Sequence, residues 1–179
     1  NIPQFEGQST FKGKQLHSYH YKSPENYAGQ RVVVVGSHNS AVQIAYELAQ
    51  VADVSLAIRK PIQFAPTHLW GKDVFFFLHD TGYDMLPVGC HFGLCESSAV
   101  YDNGSYQAAI ESGNPDARPM FTQMTENGVV WSDGVEESID VMLYATGFHR
   151  ANKPYLADLK ALDHDGIAIE YKGISQTVD

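Results

Sequence analysis

The chain has 179 residues, of which 44% are hydrophobic, 12% aromatic and only 18% charged, a globular composition that excludes a disordered or collagen-like polypeptide. Its formal net charge of −9 opposes binding to nucleic acid or to an anionic membrane surface, so neither is expected as a partner. The longest apolar runs, Val32–Val35 and Val74–Leu78, are far short of the ~20 residues that span a bilayer, so no membrane insertion is expected.

Residues 1–30 lack periodicity and are rich in Gly, Pro, Tyr, Ser and Lys, which predicts an irregular lead-in. Arg31-Val-Val-Val-Val-Gly36 follows, a continuous β-branched run closed by glycine, as in a strand buried on both faces of a parallel sheet. Ala41, Ile44, Ala45, Leu48 and Ala49 fall at helical spacing and predict a helix over 39–51, and Asp53–Ile58 predicts the next strand. Strand, glycine turn, helix and strand within about 30 residues make a βαβ unit with a right-handed crossover. Further on, helices are expected near Gly71–Thr81 and at Ser105–Glu111. A strand meander is expected over Phe121–Met142, turning at Asn127-Gly128 and Asp133-Gly134, then an apolar strand at Ile139–Ala145 and a last one at Ile167–Tyr171.

Gly36-Ser37-His38-Asn39-Ser40-Ala41 matches the dinucleotide fingerprint G-x-G-x-x-G/A at its first and third positions. The first glycine makes the turn, the second admits the pyrophosphate to the backbone, and the third lets helix and strand pack closely. His38 stands at the second, where a side chain crowds the phosphates unless the loop shifts or the imidazole itself meets the anion. Asn39 and Ser40 are the candidate caps of a helix N-terminus whose free N–H groups suit phosphate. Arg59, with Lys60 beside it, follows Gly36 by 23 positions, where an NAD site carries an acidic residue; a cation there fits the 2′-phosphate of NADP. On these residues alone the turn suits either a phosphate cradle or a βαβ unit that binds nothing.

Phe11-x-Gly13-x-x-x-His17-x-x-x-Tyr21 precedes the first strand, and Leu143-Tyr-Ala-Thr-Gly-Phe148 closes the last strong one. With the glycine turn and Arg59 between them, this order resembles the flavin-containing monooxygenases and related FAD/NADP-dependent oxidoreductases. The resemblance runs from about Ile2 to Phe148. It implies a three-layer Rossmann-like α/β NADP-binding domain with a mainly parallel sheet plus a β-meander, flanked by remnants of an FAD-binding domain. Residues 1–27 are then the linker from the FAD domain, 28–144 the NADP-binding domain and 145–179 the return segment. The FAD-type fingerprint is not among these residues, so the chain reads as a piece of a longer, two-cofactor enzyme.

The resemblance further implies that NADPH reduces FAD for oxygenation of a nitrogen or sulfur nucleophile on a small molecule. Tyr21 stands where the related Baeyer–Villiger group has Trp, which points away from ketones. Gly36, Ser37, His38, Asn39 and Ser40 fall at the pyrophosphate and Arg59 with Lys60 at the 2′-phosphate. Thr146 and Gly147 form the return crossing, and His17 and Tyr21 shape the hinge. No residue of the chain is expected to do acid–base or nucleophilic chemistry. The alternatives are a pyridine-nucleotide-dependent flavoprotein reductase, for which the chain lacks a Cys-x-x-Cys pair, and a degenerate nucleotide fold closed by His38. Cys90, His91 and Cys95 are one ligand short of a structural zinc site, and with no disulfide framework a cytoplasmic location is expected. The Phe75–Phe77 run is expected in the core, or, should the FAD domain be absent, on an apolar face prone to self-association.

Overall fold

The computed structural model describes residues 2–82, 99–148, 153–156, 158–163, 169–171 and 174–175, so Cys90, His91 and Cys95 lie outside the described residues. It divides into two compact units, residues 1–66 with 99–147, and residues 67–98 with 148–179.

In the first unit, the elements are β1 (Lys14–His17), β2 (Arg31–Val35), α1 (Asn39–Leu48), β3 (Asp53–Ile58), β4 (Phe64–Pro66), β5 (Val100–Asp102), α2 (Ser105–Glu111), β6 (Asp116–Pro119), β7 (Gln123–Met124), β8 (Gly128–Val130), β9 (Glu136–Ser138) and β10 (Val141–Tyr144). Five strands form a sheet in the order β1-β10-β2-β3-β6, every neighbouring pair parallel. The valines of β2 sit between Val141–Tyr144 on one side and Val54–Ala57 on the other, which is why that run needs no polar alternation.

The two faces of the sheet have different covers. Val32, Val34, Val54, Leu56, Val141 and Leu143 pack under α1 through Ala41, Val42, Ala45 and Leu48. Val33, Val35, Ala57, Met142 and Tyr144 pack against Phe121, Met124, Val129, Trp131 and Ile139. That second cover is the predicted meander, an antiparallel sheet of β7, β8 and β9, so the third layer is β-sheet rather than helix. At Asn127-Gly128 the glycine serves a close approach: a Cβ on Gly128 would lie 1.9 Å from the carbonyl oxygen of Glu137.

Charge fastens the meander to the sheet. Glu137 accepts from the Arg31 guanidinium, from Arg118 Nη1 at 3.2 Å and from Trp131 Nε1 at 2.6 Å. Arg31 also donates to Ser55 Oγ at 2.9 Å, and Arg118 lies over the Trp131 ring. A carboxylate shared between two arginines and an indole satisfies groups that packing would otherwise leave without water.

Several expectations need correction. The lead-in predicted as irregular contains β1, a sheet edge whose Leu16 and His17 are buried. Lys-Gln-Leu-His has no β-branched run; its pairing with β10 makes it a strand. The helix predicted over 39–51 stops at Leu48. β6 was not foreseen, since Asp-Ala-Arg-Pro carries no strand signal, and an edge is where a strand tolerates its proline.

The second unit is made of short pieces. Strands His68–Leu69 and Lys72–Asp73 pair antiparallel and lead into a helix at Val74–Asp80, capped by Asp73 on the Phe75 N–H at 2.8 Å. The helix therefore starts at Val74 rather than Gly71. Phe75 and Phe76 are 56% and 47% exposed, against the expected core position. Three consecutive residues of so short a helix point about 100° apart, and Phe77 is the one that meets Trp70, edge-on at 5.6 Å. A four-residue helix spans Lys153–Leu156. Of the predicted tail strand, Glu170–Tyr171 pairs with Ile174–Ser175, and residues 167–168 lie outside the described residues.

Candidate functional site

Parallel strands end at one edge, so the register of the sheet decides which residues meet there. His17, Tyr144, Val35 and Ala57 form a single row across β1, β10, β2 and β3. Just beyond that row lie Gly36–Ser40 after β2, Arg59 and Lys60 after β3, and Ala145–Gly147 after β10. The chain leaves β2 toward β3 on one side, whereas β10 lies on the other, so the carboxyl end of β2 is a switch point of the sheet. That is the edge where open α/β sheets bind their ligands.

Gly36 is required there for two reasons. Its φ of +144° disfavours any side chain, and a Cβ would stand 2.6 Å from Ala145 O and 2.9 Å from the Ala41 Cβ. The turn is held by Gly36 N–H on Ala57 O (3.1 Å) and by Ala145 N–H on Val35 O (2.9 Å). Glycine in the turn and alanine at the helix thus bring β2, α1 and the segment after β10 into backbone contact.

His38, rather than Asn39 or Ser40, occupies the N-cap position of α1, with φ −107° and ψ −178°, an extended backbone open to any residue. Its carbonyl accepts from Val42 N–H at 3.1 Å, its imidazole makes no capping bond, and the residue is exposed. Asn39 is the first helical residue, and its carboxamide is turned to another strand: Nδ2 donates to Ala99 O (3.3 Å) and Oδ1 accepts from Tyr101 N–H (3.1 Å). Ser40, Arg59 and Lys60 are exposed, and Ser37 is half-buried.

The residues around His17 explain one another. Phe11 is in the second core cluster, and a Cβ on Gly13 would collide with the Phe11 ring and lie 2.6 Å from Asp140 O. The buried His17 closes β1: its Nδ1 accepts from Tyr19 N–H at 3.2 Å, which leaves Nε2–H to donate to Gly147 O at 3.0 Å. His17 thereby ties the lead-in to the crossing after β10. Tyr21 donates to Glu47 Oε2 on α1 at 3.0 Å and stacks on Tyr27; burial, then the Glu47 carboxylate, hold its hydroxyl well above the ordinary tyrosine range. Tyr144, beside His17 in the row, donates to Gln15 Oε1 at 2.8 Å, and burial pushes its pKa up to about 12.

The profile of the family described as "Flavin-binding monooxygenase-like" matches residues 1–62, from the lead-in through β3. Over those residues the chain is similar to that family. Its relatives include the indole-3-pyruvate monooxygenase YUCCA4 of Oryza sativa subsp. japonica, 28% identical over 86% of this chain and 42% of that protein. Flavin-containing monooxygenase 3 of Rattus norvegicus is 28% identical over 95% of this chain and 37% of its own. Among solved structures, the flavin-containing monooxygenase from Stenotrophomonas maltophilia is 27% identical, with a TM-score of 0.68 over 97% of this chain and 46% of that one. Cyclohexanone monooxygenase from Rhodococcus sp. Phi1 bound to NADP+, 19% identical with a TM-score of 0.58, shares the fold. The chain spans half or less of the length of the curated relatives named here.

The glycine turn, Arg59, Lys60 and the Thr146–Gly147 segment lie just beyond the carboxyl ends of their strands, while three side chains turn elsewhere. Asn39 points at the β5 edge, and His17 and Tyr21 fasten the lead-in to the sheet edge and to α1. Ala99, Tyr101 and Glu47 had no sequence signal, because each acts through a partner tens of residues away. Among the described residues there is no group of side chains that could hold a metal ion, and no helix long and apolar enough to cross a membrane.

Proposed function

We propose that this chain is the NADP(H)-binding portion of an FAD-dependent monooxygenase acting on a nitrogen or sulfur nucleophile of a small molecule. One observation carries the reading: the glycine turn, the Arg59–Lys60 pair and the Thr146–Gly147 crossing meet at the carboxyl edge of one parallel sheet, at its switch point. The fit to a dinucleotide is physical. The backbone N–H groups of Asn39, Ser40 and Ala41 open the first turn of α1, where the helix dipole favours an anion, and the exposed imidazole of His38 does not cap them. Arg59 and Lys60, exposed after β3, supply the cations for a 2′-phosphate.

When bound, NADPH supplies the hydride with which the flavin of the longer polypeptide is reduced for oxygenation. The residues here bind and orient. Gly36 lets the turn pass against Ala145; Ser37, His38, Asn39 and Ser40 present backbone to the pyrophosphate; Arg59 and Lys60 select NADP over NAD. His17 holds the Gly147 carbonyl and so fixes the crossing that leads out of the domain, while Tyr21 anchors the lead-in to α1. Residues 1–27, 28–144 and 145–179 serve as linker, nucleotide domain and return segment, with β1 lent by the linker to the sheet. The reading includes a cytoplasmic location, supported by a cysteine content without a disulfide framework. Calorimetric titration of NADPH and then NADH into the purified chain tests it. Micromolar binding with NADPH preferred is the expected result, and no heat with either nucleotide removes the site assignments.

A further inference from the structure

The carboxamide of Asn39 leaves its own helix and pairs with the edge of β5 as a neighbouring strand would, donating to Ala99 O and accepting from Tyr101 N–H. Asparagine suits this because one planar group carries both a donor and an acceptor. The segment it grips is well built into the first unit. Val100 between the two bonds is fully buried and donates its N–H to Gln63 O at 2.7 Å, and β5 pairs in parallel with β4. Asp102 at the end of β5 accepts from the N–H groups of Tyr106 (3.1 Å) and Gln107 (2.9 Å), which starts α2. Tyr106 in turn meets Tyr46 of α1 edge-on at 5.0 Å. The same residue therefore offers its backbone N–H at the first turn of α1 and its side chain to the stem by which the chain re-enters this unit after residues 67–98.

We propose that Asn39 is a positioning residue coupling nucleotide occupancy at the first turn of α1 to the order of the stem Ala99–Asp102. The proposal rests on the nucleotide reading above. A pyrophosphate held by the N–H groups of Asn39 and its neighbours fixes the Asn39 backbone, which lowers the entropy lost when the carboxamide grips the stem; by linkage, an ordered stem favours nucleotide binding by the same factor.

Amide hydrogen exchange of Tyr101 in the 179-residue chain, with and without saturating NADPH, tests it alongside calorimetric affinity. In the parent chain NADPH is expected to slow Tyr101 exchange about tenfold, the size of a typical hydrogen-bond contribution. In Asn39→Ala the apo exchange is already faster, NADPH still binds with at most about tenfold weaker affinity, and the nucleotide no longer protects Tyr101. A merely structural asparagine would raise the apo exchange and leave the NADPH-dependent protection intact, which overturns the coupling, as does NADPH binding to the parent chain without protection of Tyr101. Absence of NADPH binding to the parent chain overturns the nucleotide reading and the coupling with it. Should Asn39→Ala unfold, Asn39→Ser, too short to reach both partners and at home near a helix start, carries the same expectations.

Discussion

Replacing Gly36 with alanine places a methyl group where β2, α1 and the segment after β10 converge. The φ of +144° lies in a region that non-glycine residues enter at about 1–3 kcal/mol. The added Cβ then stands 2.6 Å from Ala145 O and 2.9 Å from the Ala41 Cβ, neither of them the end of a flexible side chain, so backbone must shift at a further ~1–3 kcal/mol. The expected loss is about 2–6 kcal/mol, a large part of the stability of an ordinary domain. Gly29 provides the control: its φ is +70° but a Cβ there meets nothing within 4 Å, so Gly29→Ala carries the strain without the collision. Urea unfolding followed by tryptophan fluorescence reads the first unit through Trp131, which is 1% exposed, above a steady contribution from the exposed Trp70. NADPH affinity in Gly36→Ala is expected to fall at least tenfold, as Ala145 and the crossing behind it are displaced. Equal destabilisation by the two substitutions would refute the reasoning, because it would mean that the crossing yields freely and that no close approach is enforced at the turn.

Arg59→Gln is expected to weaken NADPH about tenfold and to leave NADH nearly unchanged, the loss of one exposed charge-assisted contact; calorimetry with both nucleotides checks it, and equal losses would place Arg59 away from the 2′-phosphate. His38→Gly is expected to change NADPH affinity by less than about threefold, since the imidazole is exposed and its backbone is extended; a large gain in the same titration would show that the ring occupies the phosphate position. Stability is expected to fall between about pH 10 and pH 12 as the unfolded chain ionises Tyr144 while the folded one resists, up to about 2 kcal/mol, with Tyr21 and Tyr106 acting in the same sense. Tyr144→Phe flattens that part of the curve in urea midpoints measured across the range, and an unchanged slope would contradict it.

The βαβ unit was legible because its signals are local: four valines in a row, apolar residues at helical spacing, a glycine between them. The meander announced itself through its turn dipeptides. What escaped the sequence depends on partners far along the chain. β1 and β6 have no strand signal of their own and exist as edges of a sheet whose inner strands are strongly apolar. The residue types of the candidate site come from the fingerprint, and their geometry is not legible there. Asn39 looked like a cap because asparagine near a helix start usually is one, and only the placement of Ala99–Tyr101 turns its carboxamide elsewhere. His17 had a histidine's full range of uses until the Gly147 carbonyl supplied its partner.

The strand order has a consequence for how the first unit assembles as it is made. β10 lies between β1 and β2, two strands that leave the ribosome long before it; the bond from Arg31 N–H to Asp140 Oδ2 joins residues 109 positions apart. Until residues 141–144 emerge, β2 can pair only on its β3 side, and β1 has no neighbour at all. From the emergence of β2 until residues 141–144 follow, the nascent chain carries a valine-rich strand with one open edge, a surface that invites pairing with other chains. The arrival of β10 closes that edge and at the same moment brings Ala145 against Gly36, so the glycine turn and the protected sheet are completed in one event.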